Sequence, residues 1–220
     1  MANKTFIILG PQGSGKGTQA RFLSEKINTP IISMGEVSRK ARERNDEIGA
    51  MAREYYDKGI LFPADLIAKL LEAELIKMDL SKGIIFEGVP RNMQQVEIFN
   101  KIVVKLNILE PLLIYLNISK ETSSKRIKGR KVCSICSMPV MPNDENYQSG
   151  VCKKCGGKLI TRPDDQPEAI RKRLDSYYQE TKPVIELYRQ SGKLIEIDGE
   201  PSIDAVSREV NKKLVQLGVL

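Results

Sequence analysis

The nine residues Gly10-Pro11-Gln12-Gly13-Ser14-Gly15-Lys16-Gly17-Thr18 leave this chain few folds to choose from. They follow an apolar run, Thr5-Phe6-Ile7-Ile8-Leu9, that reads as a buried strand. Ala20, Leu23 and Ile27 then recur at helical spacing. Strand, glycine loop, helix is the context in which G-x-x-x-x-G-K folds as a phosphate loop. The residue types carry the chemistry. Glycines let several backbone N–H groups turn inward at a helix N-terminus, where an anion is favoured. Gly13, Ser14, Gly15, Lys16 and Gly17 form that cradle, and Lys16 brings a mobile charge to the β- and γ-phosphates. The strict pattern has Ser or Thr directly after the lysine. Here Gly17 intervenes, so Thr18 is the nearest hydroxyl for a phosphate or Mg²⁺.

Composition narrows the chemistry further. With 220 residues, 41% hydrophobic and 29% charged, the chain can build one sizeable core with small inserts. No apolar run reaches the ~18 residues of a membrane span, and no export signal is visible, so the expectation is a cytoplasmic monomer with no membrane partner. The net charge of +7 suits nucleic acid or small anions. The basic residues are dispersed, and the few aromatics do not interleave with them as stacking platforms would, so no nucleic-acid partner is expected. There is no His, which excludes His-based triads, bases and metal ligands. Catalysis must use Lys, Arg, carboxylates or a bound metal.

Along the chain, strands alternate with helices. Ile31-Ile32 reads as a second strand, and Ser33 and Glu36 have the spacing of a capping box on the helix that follows. Arg39 lies on that helix, with Arg42 and Arg44 expected on a solvated face. Pro63 starts a new helix carrying Leu66, Ile67, Leu70 and Leu71. Gly83-Ile84-Ile85-Phe86-Glu87 is a strand apolar on both faces, as a central parallel strand should be. It runs into Gly88-Val89-Pro90-Arg91. An acid at the carboxyl end of a buried strand beside a phosphate loop is where a Mg²⁺-organising carboxylate belongs, and Arg91 can fork onto a phosphate. Pro111–Leu116 and Leu194–Ile197 are further strands. Ser119 caps a helix with Arg126 and Arg130, and Asp165 with Glu168 has capping-box spacing on a long helix that Pro183 should kink or divide. A C-terminal helix runs from about Ile203 to Leu217. This order predicts an α/β fold with a parallel sheet.

All four cysteines fall within 23 residues, as Cys133-x-x-Cys136, fifteen residues, then Cys152-x-x-Cys155. Two such knuckles match a zinc site. Four thiolates close a tetrahedron and leave no open position, so the zinc would be structural. Two disulfides are the alternative, disfavoured without an export signal.

Taken together, these segments resemble the adenylate kinase family in its long-lid form with a zinc-binding lid. The carriers are Gly10 to Thr18; Ser33-Met34-Gly35-Glu36 with Arg39; Gly88-Val89-Pro90-Arg91 with Gln95; Arg126 and Gly129-Arg130; the four cysteines; and Thr161-Arg162-Pro163-Asp164-Asp165-Gln166 followed by Arg171-Lys172-Arg173. The resemblance spans essentially the whole chain. It implies a phosphate-loop nucleoside monophosphate kinase fold with a five-stranded parallel sheet. Its core would be 1–32, 63–128 and 164–220, with a monophosphate-binding insert at 33–62 and a zinc lid at 129–163. It implies reversible phosphoryl transfer from Mg·ATP to AMP. By the same resemblance Lys16, Arg91, Arg130, Arg162 and Arg173 surround the transferring group. Arg126 packs on the ATP base. Ser33, Met34, Arg39, Gly88, Arg91, Gln95, Arg162 and Arg173 serve the AMP side, with Gln95 reading the adenine. Glu87 would hold Mg²⁺ through water. The family pattern usually has Thr at Met34, Asp at Glu36 and Glu87, and Phe at Val89. Those departures keep open a kinase of broader or different base preference. A more distant alternative is a zinc-ribbon ATPase that binds nucleic acid.

Overall fold

A computed structural model of the chain describes residues 4–142, 144–161, 165 and 167–220. Its centre is β1 (Phe6–Leu9), every residue of which is buried. Parallel strands β3 (Ile85–Glu87) and β4 (Leu112–Asn117) flank it, with β2 (Ile31–Ser33) outside β3 and β8 (Leu194–Asp198) outside β4. The five-stranded parallel sheet of the sequence reading is therefore present, each strand within a residue or two of its expected place.

The all-apolar strand runs are explained by burial on both faces. Side chains alternate across a strand. Phe6 and Ile8 point into one cluster with Ile85, Ile114 and Leu116, closed by Ala20, Leu23 and Ile27 of α1 (Lys16–Ile27) and by Val206, Val210 and Leu214 of α9 (Ile203–Gln216). Ile7 and Leu9 point into the other. There they meet Phe86, Leu70 and Leu71 of α4 (Ala64–Leu75), Phe99 of α5 (Met93–Lys105), and Val184 and Ile185 of α8 (Lys182–Gln190). Each such side chain taken from water contributes about 1.5–3 kcal/mol before entropy is counted.

Two segments project beyond the carboxyl edge of the sheet. One is a helical pair, α2 (Met34–Arg42) and α3 (Glu47–Lys58). The Asp46 carboxylate caps α3, accepting from the Gly49 N–H at 2.9 Å, and Gly59 ends it at φ 69°. The other follows α6 (Lys120–Ile127), which Ser119 caps as expected through the Thr122 N–H. It is a small antiparallel sheet ordered β6 (Pro139–Val140), β5 (Lys131–Cys133), β7 (Leu159–Ile160).

Pro183 divides its helix. Helix α7 (Pro167–Ser176) gives way to a π turn at Tyr177–Thr181, and α8 begins with Pro183 in its first turn. Proline has no N–H to donate and its ring crowds the carbonyl four residues back, so the helix widens there. The turn has work to do. Thr181 Oγ1 donates to the Arg91 carbonyl at 2.9 Å, and Asn92 Nδ2 donates to Glu180 at 3.2 Å. It therefore buttresses the loop that leaves β3. Among the described residues, no helix is long and apolar enough to cross a membrane.

The phosphate loop is wedged against β4. A methyl at Gly10 would lie 2.4 Å from the Leu116 carbonyl oxygen and 2.7 Å from Ser14 Oγ. Gly10→Ala is therefore expected to cost about 2 kcal/mol of stability through forced backbone movement. A denaturant titration measures it, and an unchanged midpoint would contradict this packing.

Candidate active site

The loop between β1 and α1 is built by its glycines. Gly15 sits at the N-cap of α1 at φ 89°, a conformation that L side chains rarely adopt, and no side chain caps the helix. The first N–H groups of α1 are thus left for a ligand. Ser14 is buried, and its Oγ has no hydrogen-bond partner among the described residues. A buried hydroxyl without a partner is costly, and a phosphate oxygen is the acceptor or donor-seeking group that this place fits.

Lys16 folds back over the loop, its Nζ donating to the Gly10 and Pro11 carbonyls at 2.8 and 2.9 Å. Its stem is partly covered and its ammonium is enclosed by protein. Burial, the largest cause, lowers its pKa to about 7; Arg91, Arg173 and Arg130 push the same way, and Glu87 opposes them. Of the five groups expected near the transferring phosphoryl, Lys16, Arg91, Arg130 and Arg173 lie close enough to act on one another.

They line a single cavity of about 1150 Å³. Gly13 to Thr18, Ser33, Met34, Arg39, Glu87, Gly88, Arg91, Gln95, Arg126, Arg130 and Arg173 all contribute to its wall. Arg162 lies outside the described residues. The segment carrying the small antiparallel sheet contributes Cys136, Met138 and Pro139, so the cavity runs from the phosphate loop to both projecting segments.

Four of the arginines are tethered. Arg91 Nε donates to the Gly88 carbonyl at 2.7 Å, and enclosure pushes its pKa down. Arg126 donates to the carbonyls of Gly199 and Glu200, at 2.8 and 2.7 Å, across the end of β8. Arg130 makes a bidentate pair with Asp165, Nε at 3.0 Å and Nη2 at 2.7 Å, while Arg173 approaches the same carboxylate at 4.0 Å. The Asp165 side chain is 1% exposed.

Three sequence readings change. Ser33 does not cap α2, for its Oγ donates instead to Glu87 Oε2 at 2.6 Å. Asp165, read as a helix cap, is a buried counter-ion to the arginines, a role hidden because Arg130 lies 35 residues away. Arg42 is not simply solvated. Its guanidinium lies 4.1 Å over the Tyr56 ring, pairs with Asp57 at 2.9 Å and reaches the cavity wall. Gln95 also shows more than expected. It is 2% exposed; its Nε2 donates to the Phe62 carbonyl at 3.0 Å and its Oε1 accepts from the Arg91 N–H at 2.8 Å. Nothing local in the sequence marks Phe62 as its partner.

The four cysteines carry no disulfide. Their Sγ atoms all lie within 4.8 Å of one another, with Cys133–Cys155 at 3.4 Å and Cys136–Cys152 at 3.7 Å. A tetrahedron with Zn–S bonds of ~2.3 Å has edges of ~3.8 Å, so the donor set fits that ion. The Cys136 and Ile135 N–H groups point at Cys133 Sγ and hold that thiol below its ordinary range.

Comparison with known proteins agrees with this geometry. The family model described as adenylate kinase matches residues 8–193. The adenylate kinase of Caldanaerobacter subterraneus subsp. tengcongensis is 38% identical over 210 residues, covering 95% of each chain. That of Methanocella arvoryzae is 37% identical over 214 residues, covering 96% of this chain and 99% of its own. That of Acetivibrio thermocellus is 36% identical over 206 residues, covering 93% and 94%. Strand, loop, cation cluster and thiol knuckles thus occur together in a chain that belongs to the adenylate kinase family.

Proposed function

We propose that this chain transfers the γ-phosphoryl group of Mg·ATP reversibly to AMP, giving two ADP, with the named side chains in the roles that follow. The observation that carries the reading is the convergence of Lys16, Arg91, Arg130 and Arg173 on one cavity that also takes in Met34, Arg39 and Gln95. A hydrolase or switch needs room for one nucleotide, whereas this cavity has phosphate-binding cations on both sides of the loop. The attacking group is already an anionic phosphate oxygen, so no side-chain nucleophile is required and the missing His costs nothing. The protein's contribution is positioning, and cations placed where charge moves.

The loop amides, Ser14 and Lys16 hold the donor phosphates, with Arg126 against the donor base. Arg39 and Arg91 hold the acceptor phosphate. Arg130 and Arg173, with Arg162, bear on the transferring group. The segment 33–62 and the segment 129–163 act as covers on the core of 1–32, 63–128 and 164–220, excluding water from a group it would hydrolyse. The three-stranded sheet, with an apolar cluster of its own, supports that division; the helical pair shares the core's cluster through Met34, Ala41, Ala52 and Phe62. Glu87 and Thr18 are the residues that would hold Mg²⁺ through its water shell; when bound with ATP, the ion neutralises charge between the β- and γ-phosphates. Zinc at Cys133, Cys136, Cys152 and Cys155 is structural, stapling a ribbon whose own apolar cluster is four buried residues, two of them cysteines.

A kinase of different base preference is the second reading, favoured by Met34. It is 3% exposed, packs with Phe62 and Val89, and presents a thioether where it meets the cavity. Initial rates for a matrix of donor triphosphates against acceptor monophosphates decide between the two. ATP with AMP is expected to give the highest kcat/KM, and a faster monophosphate would select the second reading. Lys16→Ala should lower kcat by about 10²- to 10³-fold with the fold retained; near-normal turnover would remove the loop assignment.

Lys16 also makes donor binding pH-dependent. With a free-protein pKa of about 7, Lys16 is neutral at pH 8.5 and regains its proton beside a phosphate. The charged form binds better, so ATP affinity falls as pH rises above 7. In the same window the free fold gains stability, because the unfolded lysine, at 10.5, holds a proton that the folded one has lost. Calorimetry at pH 8.5 in buffers of different ionisation enthalpy should show uptake approaching one proton per ATP, absent at pH 6 and in Lys16→Met.

Metal analysis of freshly reduced protein should find about one Zn²⁺ per chain. Chelation should lower the melting temperature while Cys152→Ser, already metal-free, no longer responds.

A further inference from the structure

Ser33 stands where a helix cap stands and does not act as one. It is the last residue of β2 and precedes α2 with extended backbone, φ −96°, yet its side chain accepts no hydrogen bond from the helix. A serine at that place ordinarily receives the N–H of the second or third helical residue. Here the hydroxyl turns to the neighbouring strand and donates to Glu87 Oε2 at 2.6 Å. The sheet builds this pair. Strands β2 and β3 run parallel with Ser33 in register with Glu87, so both side chains leave the carboxyl edge side by side.

Glu87 is the acid through which the cavity's cations are balanced from the strand side. It is 8% exposed, and its charge acts on both Lys16 and Arg91. A glutamate has three side-chain torsions, and a carboxylate between two cations can be drawn onto either. The serine hydroxyl engages one oxygen and leaves the other for the cavity. We propose that Ser33 is a positioning residue for Glu87, rather than a contact of the acceptor nucleotide. Its hydroxyl holds the carboxylate in the rotamer that serves the donor phosphates and their Mg²⁺. Because Ser33 also begins α2, the same bond ties the acceptor-side helix to the donor side of the site. The inference rests on the phosphotransfer reading above.

A double-mutant cycle of Ser33→Ala and Glu87→Gln tests it, with Ser33→Thr and Ser33→Asn as controls. Three quantities are read: kcat, KM for AMP, and the Mg²⁺ concentration giving half of the thermal stabilisation of ADP-saturated protein. Removing a hydrogen bond to a charged group should lower kcat about tenfold in Ser33→Ala. The Mg²⁺ requirement should rise severalfold, and KM for AMP should stay within about twofold. In the Glu87→Gln background the same change should add nothing, which is the mark of a residue acting through another. Ser33→Thr, which keeps the hydroxyl, should restore all three quantities. Ser33→Asn, as good a cap as serine, should not. A raised KM for AMP that adds to the Glu87→Gln effect would make Ser33 a nucleotide contact, and rescue by Asn would make it a cap; either overturns the proposal. Inactivity of the unaltered protein toward every nucleotide pair would defeat the phosphotransfer reading itself, a result separable from the cycle because the Mg²⁺-dependent melting shift needs no turnover.

Discussion

An ammonium group held away from water at the positive end of a helix is the constraint on which this structure turns. Lys16 opens α1, where the aligned peptide dipoles favour an anion and oppose a cation. Two carbonyls and the charge of Glu87 are its compensation, and three arginines act against it. No arrangement of that kind stabilises a fold. It persists because the two-sided core around β1 is large enough to carry it, and because a polyphosphate that enters attracts all four cations and offsets their mutual repulsion. The site is complementary to an anion that shifts charge during reaction, which is what lowers a barrier rather than merely tightening binding.

The sheet converts this into geometry. Four of the site's groups leave adjacent strands at one edge: Lys16 after β1, Ser33 at the end of β2, Glu87 at the end of β3, and Arg91 just beyond it. Ligands of open parallel sheets gather at that edge because loops and helix N-termini do. The remaining cations come from elements that are not part of the sheet. Arg130 is held by the buried Asp165 and shares it with Arg173, so two arginines from either side of the four-cysteine ribbon are fixed relative to one another. A bidentate guanidinium–carboxylate pair with the acid out of water is rigid but costly to break one-sidedly. Asp165 thus sets where Arg130 and Arg173 stand before a nucleotide arrives.

What could be read from the sequence was whatever is written locally. The phosphate loop is nine consecutive residues, the thiol knuckles are two short repeats, and the buried strands announce themselves by unbroken apolar runs. Pro183 declared the break in its helix for the same reason. What could not be read depends on pairs far apart. Ser33 and Asp165 both sit at helix starts with an acid three residues on, and local pattern assigned both to capping. Each has a stronger partner, Glu87 at 54 residues' distance and Arg130 at 35, that only strand register and loop return bring close. The Phe62 carbonyl that occupies Gln95 is of the same kind. Capping is worth about 1 kcal/mol, whereas a hydrogen bond to an enclosed charge is worth about 1.5–3, so the tertiary partner wins whenever the fold supplies one.

That last contact bears on how an acceptor base is chosen. Gln95 is almost wholly buried, and both ends of its amide are already engaged, one by the carbonyl just before α4 and one by the Arg91 N–H. Beyond these two bonds the amide keeps one N–H and one oxygen lone pair, so it can meet a base while holding both backbone partners. The Phe62 bond orients the amide, and Phe62 ends the segment that carries α2 and α3. A base met through Gln95 would thus be met by a group already oriented by that segment. Part of the cavity wall beside this amide is apolar, formed by Met34, Phe62 and Ile67, with Val89 in the cluster behind them. Discrimination by shape against such a wall is worth only about 1–3 kcal/mol, far less than discrimination by a required hydrogen bond. Hydrogen-bonding discrimination beside this apolar wall would fall to the pre-oriented Gln95 amide.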